Sequence, residues 1–132
     1  TNATTYGVAG FIQTAAITAL TEGNSAEVET AALYTRRRNR ALETLRGSNS
    51  VKVSPPDGAM YVMLDIRETG LSGRDFAHRL LETHKIAVMP GESFGNAAAG
   101  HVRVALTTDD ACLEDAAYRL VAFADQLARA AA

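Results

Sequence analysis

Apolar residues recur at two different periods along this chain, and the change of period divides it. Val8, Phe11, Ile12, Ala15, Ala16, Ala19 and Leu20 follow helical spacing, which predicts a helix over 8–22 with Gly23 as its stop. Residues 1–7 offer few apolar positions, so the partner of this broad face is expected outside them. Asn24 followed by Glu27 matches a capping box with Asn in place of Ser or Thr. A second helix is predicted over 25–46, ended by Gly47, on a thin stripe of Val28, Ala31, Ala32, Leu42 and Leu45.

From Val51 the period shortens. Val51-Lys52-Val53 alternates as a short strand, and Ser54-Pro55-Pro56-Asp57-Gly58 is a turn signal. The nearly continuous apolar run 59–66 has strand length and suits a strand covered on both faces. Ser72 and Asp75 mark a helix start, Phe76, Ala77, Leu80 and Leu81 form its apolar face, and it should end near Thr83. Ile86-Ala87-Val88 reads as a strand leading into a loop with Pro90, Gly91, Gly95 and Gly100. After that loop, Val102, Val104 and Leu106 alternate with His101, Arg103 and Ala105, which puts Arg103 and His101 on one face of a strand. Thr108 is expected to cap a last helix carrying Asp109 and Asp110 in its first turn and Leu113, Ala117, Leu120, Ala124 and Leu127 as its stripe. Four strands separated by a turn, a helix and a loop predict an α+β layer: a small sheet with helices packed on it, preceded by two linking helices.

Composition narrows the function classes. With 132 residues the chain can build one core without staples, and its net charge of −2 leaves no electrostatic footprint for nucleic acid or an anionic membrane. Arg36, Arg37, Arg38 and Arg40 form a basic run, read as a solvated helix face spread around the helix rather than a nucleic-acid patch. No apolar stretch approaches the roughly 20 residues that span a bilayer. The single cysteine, Cys112, excludes an internal disulfide framework and fits a reducing, cytoplasmic setting. The chain opens at Thr1 without a basic leader and enters a helix almost at once, as expected of a piece of something longer.

Little in the sequence reads as a self-sufficient active site. Phosphate-loop, nucleophile-elbow, zinc and dinucleotide patterns are missing, and no catalytic, cofactor-binding or metal-binding residue is assigned. His78 and His84 are six apart and fall on different helix faces. Cys112 lies near a helix N-terminus, which favours a thiolate, but no base neighbours it, and a small buried hydrophobe is the plainer reading. Lys52 and Lys85 lack the context of a desolvated amine. Arg103 stands out: a strand-mounted guanidinium can hold a carboxylate by two parallel hydrogen bonds. The plain alternative is a surface arginine.

Three motifs in order decide more. Pro56-Asp57-Gly58-Ala59-Met60-Tyr61, then Pro90-Gly91-Glu92-Ser93-Phe94-Gly95, then Gly100-His101-Val102-Arg103 resemble the C-terminal part of class I pyridoxal-phosphate-dependent aminotransferases. The upstream stretch Phe11-Ile12-Gln13-Thr14-Ala15-Ala16 resembles the same family, and the 65–71 segment with Gly100-His101 resembles its arginine–pyruvate branch. The resemblance implies that Arg103 holds the substrate α-carboxylate, that the 90–95 loop borders the active site, and that Tyr61 and Phe94 line its entrance without touching substrate. It also implies that 1–23 is a remnant of the large cofactor domain and 24–132 the small domain with its long linking helix. Neither Lys52 nor Lys85 matches the lysine that binds pyridoxal 5'-phosphate, so the chain alone is expected to hold no cofactor and to be inactive. The intact enzyme would be a cytoplasmic homodimer moving an amino group from an amino acid to a 2-oxo acid. A pyridoxal-phosphate-dependent lyase of the same fold and a free-standing small-acid-binding α+β module stand as the alternatives.

Overall fold

A computed structural model describes residues 7–22 and 24–131. They form helix α1 (Gly10–Glu22), helix α2 (Asn24–Leu45), strands β1 (Lys52–Val53) and β2 (Tyr61–Asp65), helix α3 (Gly73–His84), strands β3 (Met89–Pro90) and β4 (His101–Ala105), and helix α4 (Asp110–Ala131). The α+β expectation holds, with one antiparallel sheet in the order β1-β2-β4-β3. Gly23, read as the stop of the first helix, lies outside the described residues. The chain divides into two compact units, 1–33 and 34–132, the division falling inside α2.

In the first unit, α1 buries none of its residues; Phe11, Ile17 and Leu20 are all exposed. Its broad apolar face therefore has no cover among the described residues of that unit, as its composition suggested. Val28, placed in the stripe of α2, is exposed too.

The second unit holds the core, and strand alternation builds it. Val62 and Leu64 from β2, with Val102 and the following Leu106 from β4, are fully buried. Val62 faces Val104 and Leu64 faces Val102 across the antiparallel ladder. On this face pack Phe76 and Leu80 of α3, Leu113, Leu120, Phe123 and Ala124 of α4, and Leu42 and Leu45 from the end of α2. The Phe76 and Phe123 rings meet at 5.3 Å. Each such side chain contributes roughly 1.5–3 kcal/mol by leaving water.

Local signals set the boundaries, some differently from expectation. Ser72 caps α3 by accepting the Asp75 N–H at 3.1 Å, as read from the sequence. At α4 the cap is Asp109 rather than Thr108: its carboxylate accepts the Cys112 N–H at 2.9 Å. The third strand is not 86–88 but Met89–Pro90, because pairing with Arg103 and Val102 of β4, not local hydrophobicity, decides where this edge becomes a strand. The β2 run is not covered equally on both faces: Tyr61, Met63 and Asp65 stay half-buried opposite their fully buried neighbours.

The basic run is also corrected. At 3.6 residues per turn, positions 36, 37 and 40 lie within about 100° of one another. Arg36 and Arg37 donate to Asp110 at 3.0 and 3.1 Å, and Arg40 donates to Glu114 at 3.1 Å. Arg37 also reaches the Leu106 carbonyl at 3.2 Å. Three of the four arginines thus form a seam between α2 and α4, while Arg38 points elsewhere and donates to the Pro56 carbonyl at 3.3 Å. No described helix is long and apolar enough to cross a membrane.

Candidate functional site

The face of the sheet opposite the core carries the candidate residues. Register places Met63, Arg103 and Met89 side by side on β2, β4 and β3, with Asp65 opposite His101 and Tyr61 opposite Ala105. Arg103 is central, on an inner strand, and half-buried. Its guanidinium carbon lies 4.1 Å from the centre of the Tyr61 ring and 4.6 Å from that of Phe94. An arginine over aromatic faces is attracted by the ring quadrupole and loses freedom of orientation, while its in-plane N–H groups remain available. Sequence reasoning put Tyr61 and Phe94 at the site entrance; the structure brings both rings onto Arg103. The Tyr61 contact is a diagonal pair across β2 and β4, legible only once the register is known.

The nearest acid on this face does not neutralise that cation. Asp65 is held by Arg67, whose Nε and a terminal guanidinium nitrogen donate to its two oxygens at 2.9 and 2.6 Å, with the Arg67 N–H adding a third bond at 3.0 Å. The Arg67 guanidinium accordingly pulls the Asp65 carboxyl down to about 2. Among the described residues no carboxylate pairs with Arg103. An open hollow of about 230 Å³ lies beside it, lined by Ala87, Val88, Met89, Arg103 and Ala105. A cation beside two aromatic rings, next to open space and without a counter-ion among the described residues, has the chemistry to accept an anion.

One residue that the sequence did not single out ties the neighbouring loop down. Glu92 sits in the short 3-10 turn Gly91–Phe94, and one carboxylate oxygen accepts the N–H of Gly73 at 2.9 Å and that of Gly100 at 3.3 Å. Backbone N–H groups, its own first and then those of Gly73 and Gly100, hold its carboxyl below the ordinary value despite burial. Gly73 begins α3, so the charge also meets a helix N-terminus. In the sequence Glu92 is an unremarkable acid in a turn, because both donors come from distant backbone.

The remaining candidates separate from this face. Cys112 is exposed, and the neighbouring Asp109 carboxylate pushes its thiol up, overriding the helix N-terminus expected to favour a thiolate. Neither the thiolate nor the buried-hydrophobe reading survives. His78 is exposed, whereas the His84 ring packs on Phe123 at 5.2 Å. Among the described residues no three His, Cys, Asp or Glu side chains converge as metal ligands. A lysine that takes up a carbonyl cofactor needs a free, desolvated amine. Lys52 is exposed and paired with Glu68 at 2.9 Å, which raises its pKa, and the exposed Lys85 donates to the Glu82 carbonyl at 2.8 Å. The described residues therefore do not fit attachment of pyridoxal phosphate.

Comparison with known proteins gives this geometry its family. The model for aminotransferase class I and II matches residues 2–120, and the chain belongs to that family, whose members depend on pyridoxal phosphate. Arginine–pyruvate transaminase AruH of Pseudomonas aeruginosa is 45% identical over 123 residues, covering 92% of this chain and 31% of that protein. An aspartate aminotransferase of Pyrococcus horikoshii is 36% identical over 86% of this chain and 29% of its own length. Among solved structures, an aromatic aminotransferase from Pyrococcus horikoshii superimposes with a TM-score of 0.78 at 34% identity, covering 88% of this chain and 31% of that one. The aspartate aminotransferase from Thermus thermophilus with maleate gives 0.74 at 35% identity, over 90% of this chain and 32% of its own. The chain thus spans about 31% of the first of these relatives.

Proposed function

We propose that this chain is the C-terminal small domain of a pyridoxal-phosphate-dependent aminotransferase and that Arg103 anchors the α-carboxylate of its substrates. The observation that carries the reading is the Arg103 guanidinium on the open sheet face, flanked by Tyr61 and Phe94 and unpaired by any described carboxylate. An amino donor and a 2-oxo acid acceptor differ at the carbon that gains or loses nitrogen but share the α-carboxylate. One fixed guanidinium therefore serves both half-reactions, binding each acid in the same orientation and fixing its reacting carbon in place. The neighbour solved with maleate, a dicarboxylate, supports an acid ligand here.

In this reading 24–132 is the small domain with its linking helix, and 1–23 belongs to the large domain. Pyridoxal phosphate supplies the electron sink for amino transfer, and its attachment is assigned to the rest of the intact protein, so 1–132 alone is inactive. The full-length enzyme is a cytoplasmic homodimer. The arginine–pyruvate pair is the first substrate pair to test, given the 45% identical relative.

The test is Arg103→Lys in the full-length protein. A point charge replaces a planar fork, so kcat/KM for the amino acid should fall by about 2–4 kcal/mol of transition-state binding, roughly 30- to 900-fold, with cofactor absorbance retained. An unchanged kcat/KM overturns the assignment.

A further inference from the structure

Glu92 spends a carboxylate where the fold gains little obvious stability from it. One of its oxygens is buried without a hydrogen-bond partner among the described residues. Half-satisfied buried acids are costly, and a native structure that keeps one invites an explanation. The other oxygen supplies it, because its two bonds join three points of the chain: the start of a helix, the middle of a loop and that loop's far end. Gly73 is the first residue of α3, Glu92 lies in the loop between β3 and β4, and Gly100 immediately precedes β4.

The junction is tight. A Cβ at Gly73 would strike both the unpartnered Glu92 oxygen and the His101 carbonyl, so no other residue lets the carboxylate approach the helix start this closely. Gly100 has a φ of 71°, and a Cβ there would come within 2.6 Å of Arg67 Cγ. Its carbonyl accepts the Ile66 N–H at 3.0 Å, which fastens the same point to the end of β2. Both ends of the loop are thus held. Two residues after Glu92 comes Phe94, whose ring lies 4.6 Å from the Arg103 guanidinium carbon, and three residues after Gly100 comes Arg103 itself.

We propose that Glu92 is a positioning residue for substrate binding: by tying the 91–100 loop to the start of α3 and to Gly100, it holds the Phe94 ring against Arg103. This rests on Arg103 being the carboxylate anchor. Glu92 does not touch substrate; it acts through Phe94 and Arg103. Its loss leaves the guanidinium against the Tyr61 ring alone and less tightly oriented, a defect of substrate binding more than of the chemical step.

The experiment is a double-mutant cycle in the full-length holoenzyme with Glu92→Ala and Arg103→Lys, measuring KM and kcat separately for arginine and pyruvate. Glu92→Ala in the native background should lower kcat/KM by about 10- to 100-fold, mostly through KM. In the Arg103→Lys background the same change should cost less than about threefold, because residues that act as a unit are not additive. Equal losses in both backgrounds overturn the role of Glu92 and leave the carboxylate anchor standing. An Arg103→Lys protein with native kcat/KM overturns the anchor itself. Should Glu92→Ala not fold, Phe94→Leu keeps the carboxylate bonds and removes only the ring. It should show the same KM rise and the same lack of additivity with Arg103→Lys, and full additivity overturns the proposal.

Discussion

The two faces of the central strands are made of alternate residues in the same few turns of chain, yet they do different work. Val62, Leu64 and Val102 have no exposure, whereas Tyr61, Met63, Asp65, His101 and Arg103 keep partial exposure. A side-chain period of two lets one strand contribute to the core at every second residue and present polar chemistry at the others. Arg103 can therefore stay charged on an inner strand without the cost of burying an ion in an apolar core. What it receives instead is a partial enclosure by two rings, which restricts its orientation and leaves its N–H groups without a carboxylate partner among the described residues.

The largest effect that could break this comparison is on stability. Leu64→Ala should cost 2–5 kcal/mol, the usual range for a fully buried leucine. Met63→Ala, one residue away on the other face, should cost about 1 kcal/mol or less. Denaturant unfolding of both variants checks this, and similar losses would mean that the open face is packed as firmly as the core. A smaller effect sharpens the electrostatics of the open face. Arg67 pulls the Asp65 carboxyl down to about 2 in the folded chain. A lowered folded-state pKa contributes stability above the usual carboxylate range, and that contribution is lost as pH falls toward the folded value. Asp65→Asn should therefore flatten the decline in stability between about pH 4 and pH 2. The change should be modest, because Arg67 is largely exposed and its pairing screened. A variant whose acid limb matches the native one would show that the pair contributes nothing to folding.

Legibility followed the range of the interactions. The Arg103 strand, the Ser72 cap and the Leu113 stripe rest on local spacing, and each was readable in the sequence. Readings that depended on a distant partner were not. The edge strand at Met89 exists because β4 pairs with it, and three arginines of the α2 run became a seam because Asp110 approaches from α4. Glu92 was invisible for the same reason, since Gly73 and Gly100 meet only in the folded chain. The cap of α4 moved by one residue because two adjacent polar residues, Thr108 and Asp109, compete for it, and the carboxylate accepts more strongly. Arg103 itself was only half legible. Alternation fixed its face, but surface arginines are common, and the ordered motifs around it gave it meaning.

The central claim is that Arg103 reads the α-carboxylate, and substrate discrimination tests it most directly. In the full-length protein, kcat/KM would be compared for arginine and for the amine left when its carboxylate is removed, in native enzyme and in Arg103→Lys. The native enzyme should favour the amino acid strongly, and Arg103→Lys should erase most of that preference by lowering only the amino-acid value. A variant that discriminates as well as the native enzyme would contradict the account.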